Sequence, residues 1–195
     1  MINNYEKSGT LTDEAREFLS KKCFYGVDVR DENISRTRLN MFLVGDGHTH
    51  MYSDNSLKPT RQQGKSTLSK KYQYVITNPP YFNGTPAHHN AHHNTDIKKR
   101  VQHCCARVKP NGYICIIADT LCVDKIISVM DKKHFGNIQI FPLFGAKNSA
   151  ERALIRAKQG ARTGTTIFKG SSMNNDLILR DGLTIDTLLS TLSAL

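Results

Sequence analysis

Tyr72-Gln73-Tyr74-Val75-Ile76-Thr77-Asn78-Pro79-Pro80-Tyr81-Phe82 is the stretch whose reading decides the fold. Its first six residues are mostly β-branched or aromatic, the composition of a strand. Two prolines then end the ladder, since neither carries a backbone donor. Pro79 also biases Asn78 toward extended backbone. The strand therefore delivers one asparagine into a rigid turn whose carbonyls have no ladder partner.

Working outward, helix-like and strand-like periods alternate. Thr12-Asp13-Glu14 opens a helix running to about Lys22, and residues 24–29 form a short strand with Asp28 near its end. Asp31 is expected to cap a helix with Ile34, Leu39, Met41 and Phe42 as apolar positions, closed by Gly45. Thr49 to Ser53 is a strand followed by Asp54-Asn55. Residues 58–71 are polar and predict an exposed loop. After the deciding stretch come a histidine-rich loop over 83–94 and a helix near 95–108. Lys109-Pro110-Asn111-Gly112 predicts a turn. Tyr113 to Ala118 is a continuous apolar run and predicts a fully buried strand. A helix near 121–133, strands near 137–143 and 151–158, and a terminal helix from Ile185 to Leu195 complete the pattern.

Strand-helix alternation predicts an α/β fold: a mostly parallel sheet with helices on both faces and an antiparallel strand toward the C-terminus. In such sheets ligands bind beyond the carboxyl ends of the strands. Asp28, Asp54 and Asn78 all stand at such ends.

A length of 195 residues suits one domain, residues 1–195, with a proper core. The formal net charge of +10 favours a polyanionic partner, because each neutralised phosphate releases counterions. None of the five cysteines forms a CxxC pair, as expected of reduced thiols in an intracellular protein. No apolar run approaches the ~20 residues of a membrane span, and the first residues are polar. A cytoplasmic protein without membrane attachment is expected.

Tyr74 to Phe82 resembles motif IV of the S-adenosylmethionine-dependent amino-methyltransferases. Gly26-Val27-Asp28-Val29 is similar to their second strand, and Asp54 matches the acid after their third. The resemblance implies a Rossmann-like class I methyltransferase sheet with S-adenosylmethionine as cofactor. It implies that Asp28 binds the cofactor ribose, Asp54 its adenine, and Asn78 the reacting groups. A delocalised exocyclic amine is a poor nucleophile. The Asn78 side-chain oxygen and the Pro79 carbonyl would accept its two N–H groups, with Pro80 stiffening the loop and Tyr81 stacking an extruded base. The reaction centre is thus Asn78, Pro79, Pro80 and Tyr81.

The expected activity is methyl transfer to N6 of adenine in nucleic acid. Residues 141–143, 150–155, 158–162 and 181–184 resemble the tail of bacterial valine-tRNA adenine-N6 methyltransferases, which points to tRNA. Arg152, Arg156, Lys158 and Arg162 are the expected backbone-binding track. Asn40 to Gly45 and Asp54 to Leu57 are similar to modification subunits of type I restriction systems, so DNA is the alternative. A protein glutamine N5-methyltransferase and a catalytically impaired RNA-binding remnant are the others. The family's glycine-rich cofactor turn is matched only by Ser8-Gly9-Thr10, with Lys7 where a glycine is expected and no apolar first strand before it. Gly9 is the expected cofactor contact there, residues 1–10 are a remnant of motif I, and weak cofactor binding is expected. His88-His89-Asn90-Ala91-His92-His93 has no cysteine or carboxylate at a confirming spacing, so no metal site is expected.

Overall fold

Period-two burial organises the larger part of the molecule. In the computed structural model, residues 12–43, 50–56, 70–79, 97–145 and 148–172 are described. They fall into two compact units, residues 1–70 and 71–195.

In the first unit, Thr12 caps helix α1 (Asp13–Phe18), its hydroxyl accepting from the Ala15 amide at 3.2 Å. Asp13 and Glu14 oppose the positive end of that helix, which continues as a π-helical turn, Leu19–Cys23. Strand β1 (Gly26–Asp28), helix α2 (Asp31–Leu43) and strand β2 (Met51–Ser53) follow. β1 and β2 pair in parallel, with Gly26 opposite Met51 and Asp28 opposite Ser53. A Cβ on Gly26 would meet the Met51 sulfur at 2.5 Å, so the Met51 thioether packs directly over this glycine and would have to swing aside for any side chain there.

Two expectations for α2 need correction. Asp31 lies inside its first turn rather than at the cap. Of the four apolar positions only Ile34 is buried, while Leu39 and Phe42 are exposed. At 3.6 residues per turn Ile34 and Met41 share a side of the helix, and Leu39 and Phe42 do not.

The second unit holds β3 (Tyr72–Thr77), α3 (Ile97–Ala106), β4 (Val108–Asp119), a 3₁₀ turn (Thr120–Cys122), α4 (Val123–Lys132), β5 (Phe135–Phe144), β6 (Ala150–Gln159), β7 (Thr165–Ile167) and β8 (Ser171–Ser172). They build one six-stranded sheet, ordered β3-β4-β6-β5-β7, with β8 beside β5. β3 and β4 are parallel, and β6 runs antiparallel between β4 and β5, as expected of a late strand.

Ile114, Ile116 and Ala118 of β4 and Ala153, Ile155 and Ala157 of β6 are buried. They form one core with Val101 and Cys105 of α3 and Ile126, Val129 and Met130 of α4. Both described helices of this unit therefore cover the same sheet face. The second layer expected on the opposite face is not found among the described residues of this unit.

The fully buried strand expected at 113–118 is corrected accordingly. Only alternate residues are buried, while Tyr113, Cys115 and Ile117 are half-buried on the other face. The turn expected at 109–112 is absorbed into β4 as an irregularity. Asn111 is left-handed at φ 61°, and the pairing with β3 shifts between Tyr72 and Tyr74. A Cβ on Gly112 would stand 2.7 Å from the Gln73 carbonyl, so glycine is what fits there.

Candidate active site

β1 ends on Asp28, and Asp54 follows β2 directly. Because the strands are parallel, the two acids stand at the same end of the pair. The Asp54 amide donates to the Asp28 carbonyl at 2.9 Å. One Asp28 carboxylate oxygen accepts from the Arg30 amide at 2.8 Å and the other from the Asn33 side-chain amide at 3.2 Å. The Arg30 amide hydrogen bond holds this carboxyl below its ordinary range. Partial burial opposes that shift, and the Asn33 bond and the Arg30 charge reinforce it. Asp54 turns its own Oδ1 onto the Asn55 amide at 2.6 Å.

An ionised carboxylate oxygen accepts more than one hydrogen bond, so Asp28 keeps acceptor capacity after both contacts. This donor-poor, acceptor-rich strand end fits a ribose diol or an aromatic amino group.

In the second unit, β3 places Thr77 opposite Ile116. The Thr77 side chain makes a hydrogen bond with Cys104 of α3, whose thiol is raised mainly by burial. Thr77 thus ties the last turn of the strand to the helical layer. Asn78, the next residue, is exposed, and Pro79 is buried. The turn is anchored by the proline while the asparagine is presented outward. Pro80, Tyr81, Gly9, the loops 58–69 and 83–94 and the terminal helix at 185–195 lie outside the described residues.

Arg152, Arg156 and Lys158 occupy alternate positions of β6, between Ala153, Ile155 and Ala157 of the core. They therefore lie on the face opposite the two described helices of this unit. The Arg156 guanidinium sits 4.5 Å from the centre of the Tyr113 ring and the Lys158 ammonium 5.7 Å from it. Tyr74 stacks on Tyr113 at 5.6 Å with 10° between the rings. Arg162 does not join this group. It lies beyond the end of β6, in a cleft of about 440 Å³ shared with Asp131, His134, Phe135 and Thr163.

The tyrosine pair escaped sequence reasoning. Its signal was the parity of Tyr74 and Tyr113 relative to the buried residues, but a register is needed to bring the two together.

No group of three or more metal-ligating side chains occurs among the described residues, and His88 to His93 lie outside them. No described helix is long and apolar enough to cross a membrane.

The family model described as N-6 DNA Methylase matches residues 6–123, more than half of the chain and across both units. No curated protein matches. Among solved structures, a protein described as a type I restriction modification subunit from Vibrio vulnificus YJ016 is similar over 100% of this chain and 46% of its own, with 18% identity and a TM-score of 0.65. The M protein of the type I restriction enzyme EcoKI matches over 82% of this chain and 36% of its own, at 16% identity and a TM-score of 0.56. A protein described as a class I S-adenosylmethionine-dependent methyltransferase from Listeria monocytogenes matches over 98% of this chain and 58% of its own, at 16% identity and a TM-score of 0.55. At these identities the likeness is one of fold, the class I methyltransferase α/β fold. The chain spans less than half the length of either modification subunit.

Proposed function

Because the chain belongs to the N-6 DNA methylase family, we propose that it transfers a methyl group from S-adenosylmethionine to the N6 amino nitrogen of adenine in DNA. The observation that carries this reading is the presentation of Asn78 at the carboxyl end of β3, exposed and followed by a buried proline. The family match contains this turn, Asp28 and Asp54 and runs across both compact units; residues 1–195 are read here as one methyltransferase domain.

When bound, S-adenosylmethionine supplies an electrophilic methyl group. The rest of the chemistry belongs to the chain. Asp28, kept ionised by the Arg30 amide, would accept from the ribose hydroxyls, and Asp54 would accept from the cofactor's adenine amino group. The Asn78 side-chain oxygen and the Pro79 carbonyl accept the two N–H groups of the target amine. Held this way, the nitrogen would turn its lone pair out of conjugation with the ring, which makes it the better nucleophile that methyl transfer needs. The contribution is positioning and preorganised electrostatics. Gly9 is assigned to the cofactor's methionine end, Pro80 to stiffening the loop and Tyr81 to stacking the extruded base.

DNA is preferred over the tRNA that the tail residues suggest. The family model is one of DNA methylases, and the fold is shared with restriction modification subunits. The net charge of +10 suits either polyanion. A cytoplasmic location fits both the substrate and cysteines that form no disulfide.

The test is transfer of tritiated methyl to a mixed-sequence DNA duplex and to unmodified tRNA. Label recovered as N6-methyladenine in DNA is expected. Label confined to tRNA reverses the substrate assignment, and label in neither, from a chain that binds the cofactor, overturns the nucleic-acid reading.

A further inference from the structure

We infer that Asn33 is a positioning residue for cofactor binding: its side-chain amide holds the Asp28 carboxylate in the orientation that receives the ribose diol. The inference rests on the cofactor reading above and deepens it, from the acid that binds to the side chain that aims it. Asn33 carries no charge and belongs to no motif; the fold alone brings it to Asp28.

The contact is built by the path of the chain from β1 into α2. Asp28 ends β1, and the Arg30 amide donates to one of its carboxylate oxygens at 2.8 Å. The Arg30 carbonyl accepts from the Ile34 amide, so the helical path begins there. Side chains in the first turn of a helix lean back toward its N-terminus. Asn33 therefore reaches back to the residue that closed the strand, and its Nδ2 donates to the second Asp28 oxygen at 3.2 Å. An ionised carboxylate only accepts, which fixes the Asn33 amide with its NH2 group toward Asp28. The helix that carries this contact is itself held. Ile34, next to Asn33, is buried, and the Arg38 guanidinium donates to the Met51 carbonyl of β2.

Two donors, one on each oxygen, remove the freedom of the carboxylate to turn about its last side-chain bond, a torsion that is otherwise broad. Each oxygen keeps further acceptor capacity, so the fixed group presents two acceptors side by side. A vicinal diol presents two donors in the same way. The gain is one of preorganisation: Asn33 lowers the ordering cost of binding without touching the ligand. The charged residues on the elements that meet here are Arg30, Asp31 and Glu32 around the start of α2 and Asp54 after β2. The Arg30 amide lowers the Asp28 carboxyl most, burial opposes it, and the Asn33 bond and the Arg30 charge lower it further. A change at Asn33 leaves all of those charges in place.

The experiment is two-dimensional NMR of the full chain as wild type, Asn33→Leu and Asn33→Asp. Leucine keeps the branched shape and lacks the donor, and aspartate puts an acceptor in the donor's place. Asn40→Leu, at an exposed position of α2, is the control. In the free chain, the Asp28 side-chain carbon is followed through pH. Its pKa should rise in Asn33→Leu, rise further in Asn33→Asp and stay put in Asn40→Leu. Amide shifts then follow titration with S-adenosylhomocysteine and with its analogue lacking both ribose hydroxyls. Loss of the diol should weaken wild-type binding about ten-fold. Asn33→Leu should bind the parent compound about five-fold more weakly than wild type and lose only about two-fold more with the diol. Dispersed spectra establish folding, and either variant suffices if the other fails to fold. If the variants bind both compounds as the wild type does, the positioning role is refuted and the cofactor reading stands. If the Asp28 pKa moves while the diol penalty does not, the contact serves the fold alone and the proposal is equally refuted. If the wild type binds neither compound, the cofactor reading fails and the positioning role falls with it.

Discussion

Replacing Ile155 and Leu154 separately by alanine tests the division of the sheet into a sealed face and an open one. The two are neighbours on the strand at the centre of the sheet. Ile155 is fully buried between Ile116 and Ile140, whereas Leu154 is 40% exposed between Ile117 and Phe141. Ile155→Ala removes three carbons, about 2.4 kcal/mol of transfer free energy at ~0.8 kcal/mol each. The cavity left beneath two packed helices raises the loss to about 3–5 kcal/mol. Leu154→Ala removes as many carbons from a side chain already partly in water, so the loss is about 1.5 kcal/mol or less, with no enclosed cavity. At a urea dependence of about 2 kcal/mol per molar, the midpoint should fall by about 2 M for Ile155→Ala and by less than 1 M for Leu154→Ala. Equilibrium unfolding followed by far-ultraviolet circular dichroism reads both. Equal drops, or a larger one for Leu154→Ala, would refute the assignment of the two faces.

Three further outcomes are expected. Asn78→Ala should lower turnover by about 10²-fold or more while cofactor affinity stays within a few-fold, because the asparagine acts on the target amine during the chemical step. Near wild-type turnover contradicts this. The Asp28 carboxyl is depressed on folding, so its stabilisation is present above the unfolded value near 3.9 and lost as pH falls through the lower folded value. The stability gap between wild type and Asp28→Asn should thus be level from about pH 7 to 5 and close below about pH 4. A gap still open at about pH 2 counts against the Arg30 and Asn33 contacts. Burial pushes the Cys105 thiol up to about 12, so iodoacetamide at mildly alkaline pH should label it only after unfolding. Labelling at the same rate in native and urea-unfolded protein would show that the α3 layer does not seal it.

β3 was legible to the residue, because aromatic and β-branched residues run without interruption into two prolines. The acids at the ends of β1 and β2 were equally visible, since a carboxylate closing a short apolar strand is a local signal. What escaped depends on pairing between distant segments. Tyr113, Cys115 and Ile117 are all residues that cores accept, like the buried isoleucines between them, so β4 carries no clear mark of which parity the helices cover. Only the register with β3 and β6 sets Tyr74, Arg156 and Lys158 around Tyr113. Lys109-Pro110-Asn111-Gly112 has turn chemistry, but β3 alongside holds it within the ladder as an irregular stretch. Arg162 was grouped with the other cations by proximity in sequence, yet the strand ends before it and carries it away from their face.

The position of β6 bears on how the protein is made. Among the described strands it is the last long one to leave the ribosome, and it sits in the middle of the sheet, bonded to β4 on one side and β5 on the other. Until residue 159 has been synthesised and released from the exit tunnel, β4 and β5 each present an unpaired backbone edge. Nascent chains halted earlier carry two strand edges able to pair with the edges of other chains, which makes stalled or truncated products of this gene aggregation-prone and natural clients for chaperones. The late arrival also makes closure cooperative. A single segment fills both vacancies at once, so the sheet goes from two separate fragments to one continuous ladder in the same step.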